Sequence, residues 1–225
     1  MPETFQDDSR ETETRELFNL EEVPGRSETD AVLTMQTGQV VEFELKSTSD
    51  KNLSVTTVRD FGLDHILKWK NKHWLIAFYN KGAISPSYYL YGSPKMMDGW
   101  IQEKYKYIIS DFKSAEIIPE RVLIEDMYSI LGEKLKYSYE DARSLHKRQY
   151  SKKEYIKRMD ISNGYSKEVM LDIYRDRINY LIKRGSTLNN PHIPGSYFKN
   201  WSTKIDSDHA KKLNRFVQQA LEGFI

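Results

Sequence analysis

The run Val40-Val41-Glu42-Phe43-Glu44-Leu45-Lys46 constrains this chain more than any other stretch, because from Val41 onward its polarity alternates strictly. Successive side chains of a strand point to opposite faces. Val41, Phe43 and Leu45 therefore share an apolar face that can enter a core, while Glu42, Glu44 and Lys46 share the other. Residues 30–35 also read with period two, and Gln36-Thr37-Gly38 between the runs has the composition of a hairpin loop. Gly38 can supply the left-handed position that a three-residue loop needs. That loop sets Met35 opposite Gln39 and, counting back, Asp30 opposite Glu44. A two-residue turn at Thr37-Gly38 would pair Asp30 with Leu45 and turn the aspartate to the other face.

Directly opposed side chains lie about 4.5–5.5 Å apart at Cβ. Two carboxylates that close repel unless positive charge stands between them. A hard divalent cation such as Mg²⁺ meets that need with oxygen ligands. Lys46, two residues along the same face, is then placed to position or deprotonate a water.

The pattern continues with a helix expected over residues 54–70, carrying Val55, Val58, Gly62, Ile66 and Trp69 along one side. Residues 73–79 (His-Trp-Leu-Ile-Ala-Phe-Tyr) form an almost unbroken apolar run, the signature of a strand buried on both faces. Residues 87–91 give a further short strand. The order β-β-α-β implies a mixed sheet with a crossover helix, an α/β (α+β) fold flanked by helices. Upstream, residues 14–22 place Leu17, Leu20 and Val23 on a helical spacing after a polar, frayed start. Beyond residue 94 the pattern is mainly helical, with helices expected over 95–109, 119–131, 138–160, 166–184 and 207–223 and a loop over 186–200. The expected division is a core over residues 1–94 and a mainly helical region over 95–225, separate or continuous with it.

Asp30, a gap of thirteen residues, then Glu44-Leu45-Lys46 on an apolar-backed strand, followed by a helix and a buried strand, resembles the PD-(D/E)XK nuclease superfamily. This is the fold of many type II restriction endonucleases and several DNA-repair nucleases. The resemblance covers roughly residues 28–91. Thr29 stands where the family usually has proline, a departure that leaves the ligands intact. The resemblance implies a central mixed sheet of the restriction-endonuclease type, with Asp30 and Glu44 as metal ligands, helped by the Leu45 carbonyl, and Lys46 assisting the attacking water. Glu28 or Glu42 could add a further contact. It implies Mg²⁺, with Mn²⁺ able to substitute, no nucleotide cofactor, and double-stranded DNA as substrate, cut at a specific site by a homodimer. Two alternatives remain: a structure-specific repair or junction nuclease of the same superfamily, and a DNA-binding protein without catalysis.

Composition narrows the rest. With no cysteine in 225 residues, disulfides and thiolate zinc sites are excluded. A charged share of 30% and the absence of any apolar run near the roughly 20 residues of a membrane span argue against a membrane protein. The acidic start lacks an apolar leader, so a cytoplasmic location is expected. The net charge of +1 conceals an acidic first thirty residues and a basic stretch over 143–158. That stretch offers Lys147, Arg148, Lys152 and Lys153 as phosphate contacts among Tyr150 and Tyr155. Lys183, Arg184, Asn189 and Asn190 form a second candidate, with side chains able to reach phosphates or base edges. Neither a Gly-x-Ser-x-Gly elbow nor a phosphate-binding glycine loop of the Walker type is present, and the five histidines form no metal-binding spacing.

Overall fold

The computed structural model describes residues 4–23 and 29–225, with side chains in the first helix from residue 9 onward; Glu28 lies outside the described residues. In chain order the elements are α1 Thr4–Phe18, β1 Ala31–Thr34, β2 Val40–Thr48, β3 Val55–Thr56, α2 Leu63–Trp69, β4 His73–Phe78 and β5 Tyr88–Gly92. Then come α3 Pro94–Ile117, α4 Ile124–Leu131, α5 Tyr139–Leu145, α6 Lys152–Lys157, α7 Lys167–Gly185, β6 His192–Ile193, β7 Lys204–Ile205 and α8 His209–Leu221. Two compact units result, one of residues 1–107 and 188–225 and one of residues 108–187.

The first unit is built on a mixed sheet ordered β1-β2-β4-β5-β7, in which β2 and β4 run parallel and the other neighbours antiparallel. A parallel pair needs a crossover, and α2 lies between β2 and β4 in the chain. One sheet face carries Val41, Phe43, Leu45, Leu75, Ala77, Tyr89 and Tyr91, which cluster with Phe18 of α1 and with Leu213, Phe216 and Val217 of α8. Full burial of each large apolar side chain contributes roughly 1.5–3 kcal/mol, so this layer fixes the pleat of β2. On the opposite side Trp69 of α2 meets Trp74 of β4 edge to face, and Phe61 and Trp100 of α3 pack on Trp69. All six residues of β4 are buried, as its apolar run predicts.

The hairpin has the three-residue-loop register. Ala31 faces Phe43, Val32 faces Glu42, Leu33 faces Val41 and Thr34 faces Val40. The Met35 N–H donates to the Gln39 carbonyl at 2.8 Å, and Gly38 takes a φ of +83°.

Several boundaries differ from expectation, each for a local reason. Residues 54–70 are not one helix: the β-branched run Val55-Thr56-Thr57-Val58 prefers extended backbone, and Val55 pairs with Ile193 of β6. Only α2, after Gly62, is helical. α1 covers the polar start and buries Thr14 and Phe18, leaving Leu17 exposed; Asn19, at φ 54°, ends it before Leu20. The expected helix over 138–160 is two, because Lys147 and Arg148 adopt left-handed backbone and Ser151 caps a new start by accepting from the Glu154 N–H. Residues 119–121 form a 3₁₀ turn ahead of α4. The expected loop over 186–200 contains β6, and β7 beyond it pairs with β5. Residues 188–225 therefore belong with the sheet and not with the helical unit, which changes the expected boundary at residue 94.

The second unit packs α4, α5, α6 and α7 around Met127, Tyr137, Ala142, Tyr155, Tyr165, Met170 and Ile173, all buried. Its tyrosines carry hydroxyls that need partners when buried. Tyr165 donates to the Tyr155 carbonyl at 2.7 Å, and Tyr155 pairs with His146 Nδ1 at 3.3 Å. Among the described residues no helix is long and apolar enough to cross a membrane.

Candidate active site

The polar face of β2 assembles the charge cluster. The ladder ends at the Ala31–Phe43 pair, and the Asp30 N–H just before it donates to the Phe43 carbonyl at 3.3 Å. Asp30 lies just before β1, where the chain leaves the ladder. Its carboxylate accepts the Leu45 N–H at 2.8 Å, a donor that a continuing ladder would offer to a main-chain carbonyl. Burial of Ala31 and Phe43 on the core side commits Asp30 and Glu44 to the same opposite face.

Glu44 is only 2% exposed. One of its oxygens, Oε1, lies 2.7 Å from Lys46 Nζ, which is also 4.0 Å from Asp30 Oδ2. The Lys46 ammonium donates to the Leu45 carbonyl at 3.1 Å as well. The second oxygen, Oε2, accepts no hydrogen bond and faces the ammonium of Lys68 on α2 at 3.6 Å. Two carboxylates and two lysines thus share one half-enclosed place.

Their titration follows from that crowding. Burial and the adjacent Glu44 carboxylate push the Asp30 carboxyl up from its ordinary value, with Lys46 and the Leu45 N–H offsetting part of the effect. Burial also works against the charge of Glu44, but Lys46 and Lys68 outweigh it and hold that carboxyl below its ordinary value. For Lys46 burial opposes the charge; Glu44 and Asp30 prevail and push its pKa up, keeping it an ammonium. The two acids, held beside one ammonium, are therefore driven apart in their titration.

Glu42 joins a neighbouring group instead. Thr29 Oγ1 donates to Glu42 Oε2 at 2.9 Å, and Lys72 Nζ lies 2.9 Å from Thr29 Oγ1 and 3.8 Å from Glu42. Beside Lys46 a cavity of about 210 Å³ opens, lined by Arg10, Glu11, Thr14, Ser47, Thr56 and Thr57. Arg10 donates to Ser47 Oγ at 3.3 Å and lies over the Tyr79 ring.

Sequence reasoning missed Lys68 and Arg10. Lys68 lies on the polar side of the helix expected over 54–70, whose sequence signal is its apolar side. The usable signal is that Lys68 and Lys72 stand four apart just before the buried strand. Arg10 lies in the polar start, where α1 forms without an apolar spacing to announce it.

The remaining candidates separate. Lys147 and Arg148 form the corner between α5 and α6, and Lys152 and Lys153 begin α6, all exposed in the second unit. Lys183 and Arg184 lie exposed in the last turn of α7. Asn189 and Asn190 belong to the first unit; the Asn190 N–H donates to the Val58 carbonyl, and its φ of 49° is that of a turn former. Among the described residues no three His, Cys, Asp or Glu side chains converge as a metal site. Oxygens of Asp30, Glu44 and the Leu45 main chain lie around the Lys46 ammonium, at 4.0, 2.7 and 3.1 Å. No protein-family model matches the chain, and no curated protein matches its sequence.

Proposed function

We propose that the chain is a divalent-cation-dependent endonuclease acting on double-stranded DNA, with Asp30, Glu44 and Lys46 as its catalytic residues. The observation that carries the reading is Glu44, a carboxylate 2% exposed whose Oε2 accepts no hydrogen bond while the Asp30 carboxylate lies beside the same Lys46 ammonium. Burying a carboxylate costs several kcal/mol even after relaxation, and an apolar replacement is often as stable. A sheet that needed only stability has no use for this arrangement.

The donor set suits the implied ion. Carboxylate and carbonyl oxygens are the ligands a hard cation such as Mg²⁺ takes, with Mn²⁺ as substitute. Asp30, Glu44 and the Leu45 carbonyl would hold it. When bound, such a cation supplies positive charge to the phosphate oxygens as the attacking water adds.

The chain's own groups do the rest. Lys46, kept charged by Glu44 and Asp30, is placed to donate a hydrogen bond to the attacking water. Lys46 and, after it, Lys68 favour the ionised form of Glu44. Arg10, Thr56 and Thr57 offer donors to the sugar-phosphate chain in the cavity beside Lys46. Water oxygen bonds to phosphorus as it gives up a proton to solvent, the bond from phosphorus to one sugar oxygen breaks, and that oxygen takes a proton from solvent and leaves as a hydroxyl. Cutting both strands at one site is served by a symmetric pair of chains.

One observation favours a second reading, a DNA-binding protein without catalysis: the 2.7 Å pair between Lys46 and Glu44 neutralises the cluster without any cation. Incubating supercoiled plasmid and branched DNA with the chain and Mg²⁺ separates the readings. Discrete fragments support a site-specific enzyme, and cutting of branched DNA alone supports a structure-specific one. A gel shift without cutting contradicts catalysis.

A further inference from the structure

The second unit carries a charge arrangement opposite to that of the sheet. Lys147, Arg148, Lys152, Lys153 and Lys157 are all exposed, and none of these side chains makes an ion pair or hydrogen bond among the described residues. Their neighbours Arg143 and Arg158 are paired, with Glu140 at 3.0 Å and with Glu154 and Asp176 at 3.2 and 3.0 Å. Five such cations thus fall within eleven residues at the corner between α5 and α6 and on α6 itself, whereas Lys113, Arg121, Lys167 and Lys183, also exposed in this unit, are scattered along the chain.

The corner is built to hold them still. Lys147 and Arg148 occupy consecutive left-handed positions, at φ 52° and 60°, where asparagine or glycine would be easier to accommodate. The Arg148 N–H donates to the Arg143 carbonyl at 3.1 Å and the Gln149 N–H to that of His146 at 3.3 Å. Beneath the corner His146 is buried with the Tyr150 ring 3.9 Å away, and Tyr155 of α6 is buried in the tyrosine core. Strained backbone on a rigid base, carrying unpaired cations, is the arrangement expected where side chains meet a ligand. Lys183 and Arg184 at the end of α7 have no such corner beneath them.

We infer that the α5–α6 corner, with Lys147, Arg148, Lys152 and Lys153 at its centre, grips the sugar-phosphate backbone of duplex DNA independently of base sequence. The inference rests on the nuclease reading for its choice of polyanion. Exposed ammonium and guanidinium groups without partners complement phosphates, which fix position and carry no base information.

The test measures binding of an end-labelled duplex of about 30 base pairs by the Glu44→Gln chain with Mg²⁺ over a range of salt concentrations. The same chain carrying Lys147→Ala, Arg148→Ala, Lys152→Ala and Lys153→Ala is expected to bind at least about tenfold more weakly. Its dependence of log affinity on log salt should flatten by about two to four units, since each lost phosphate contact removes close to one. Two duplexes of unrelated sequence should lose equally. Restoring charge with Arg148 intact and Lys147→Arg, Lys152→Arg and Lys153→Arg should restore affinity and slope, which a folding defect would not allow. Unchanged affinity and slope in the alanine variant overturn the inference and leave the nuclease reading standing. Binding that depends on these residues in a wild-type chain that cuts no DNA sustains the inference and removes the nuclease reading. Absence of any DNA binding overturns the inference.

Discussion

Charge is handled in opposite ways in the two units. On the sheet, Asp30, Glu44, Lys46 and Lys68 are drawn together and largely enclosed, so each charge is set by the next. At the α5–α6 corner the cations stand in solvent with no partner among the described residues. Enclosed charges interact strongly and shift one another's protonation; exposed ones are screened by salt within about 10 Å and act on whatever approaches. The first arrangement suits bond-making at one phosphate, the second suits holding many phosphates. Substitutions should therefore separate chemistry from affinity along the same line.

The largest effect is expected at the acids. Glu44→Gln and Asp30→Asn each remove a charge that the proposed chemistry needs and should lower plasmid cleavage by about a thousandfold or more. DNA affinity should stay within a few-fold in a gel-shift assay. Since burial and Glu44 already disfavour the charge on Asp30, Asp30→Asn should also raise the melting temperature, the mark of a residue kept for activity at the expense of stability. A lower melting temperature would show that Asp30 serves the fold.

Lys46→Ala leaves Glu44 and Asp30 enclosed without their nearest cation. Breaking a buried pair costs about 3–5 kcal/mol, which in chemical denaturation should appear as a lower midpoint. The pair Glu44→Gln with Lys46→Met should recover most of that loss, though not cutting. By contrast, an alanine at Lys152 should change stability by no more than about 0.5 kcal/mol.

Acid sharpens the comparison through one buried histidine in each unit. Burial pushes His73 down to about 4 from its ordinary 6.5; His146 is lowered too, by burial that Asp176 partly offsets. A histidine held neutral in the fold takes up a proton more readily when unfolded. Stability is then full above about pH 6.5 and falls as pH drops toward 4, by roughly 3 kcal/mol for His73. His73→Phe should flatten that fall, as thermal melts at pH 7 and pH 5 would reveal; an equally steep fall in the variant contradicts the assignment. A modest effect belongs to the hairpin turn: Gly38→Ala places a side chain at φ +83° with open space around it, a cost of about 1 kcal/mol that denaturation midpoints can resolve.

What the sequence made legible follows from how local the signal was. The hairpin register could be read because alternation, a glycine at the turn and a core-forming face all agree within residues 30–46. β4 was legible from its unbroken apolar run. The short pairings were not: β3 and β6 have two residues each and are held by a contact across more than a hundred residues, which no window along the chain reveals. β7 was lost for the same reason. Within the site, Asp30, Glu44 and Lys46 lie on one hairpin and so appear together in the sequence, whereas Lys68 arrives from a crossover helix and Arg10 from α1. The break at Lys147 and Arg148 went unseen because neither residue favours a left-handed turn.

The most direct test is single-turnover cleavage of a labelled duplex with the chain in saturating excess over DNA and Mg²⁺ present, so that affinity cancels from the observed rate. Wild-type chain and the quadruple alanine variant at the α5–α6 corner should then cut at rates within a few-fold of each other, while Glu44→Gln should be slower by about a thousandfold or more. A Glu44→Gln chain that cuts at the wild-type rate would contradict the account.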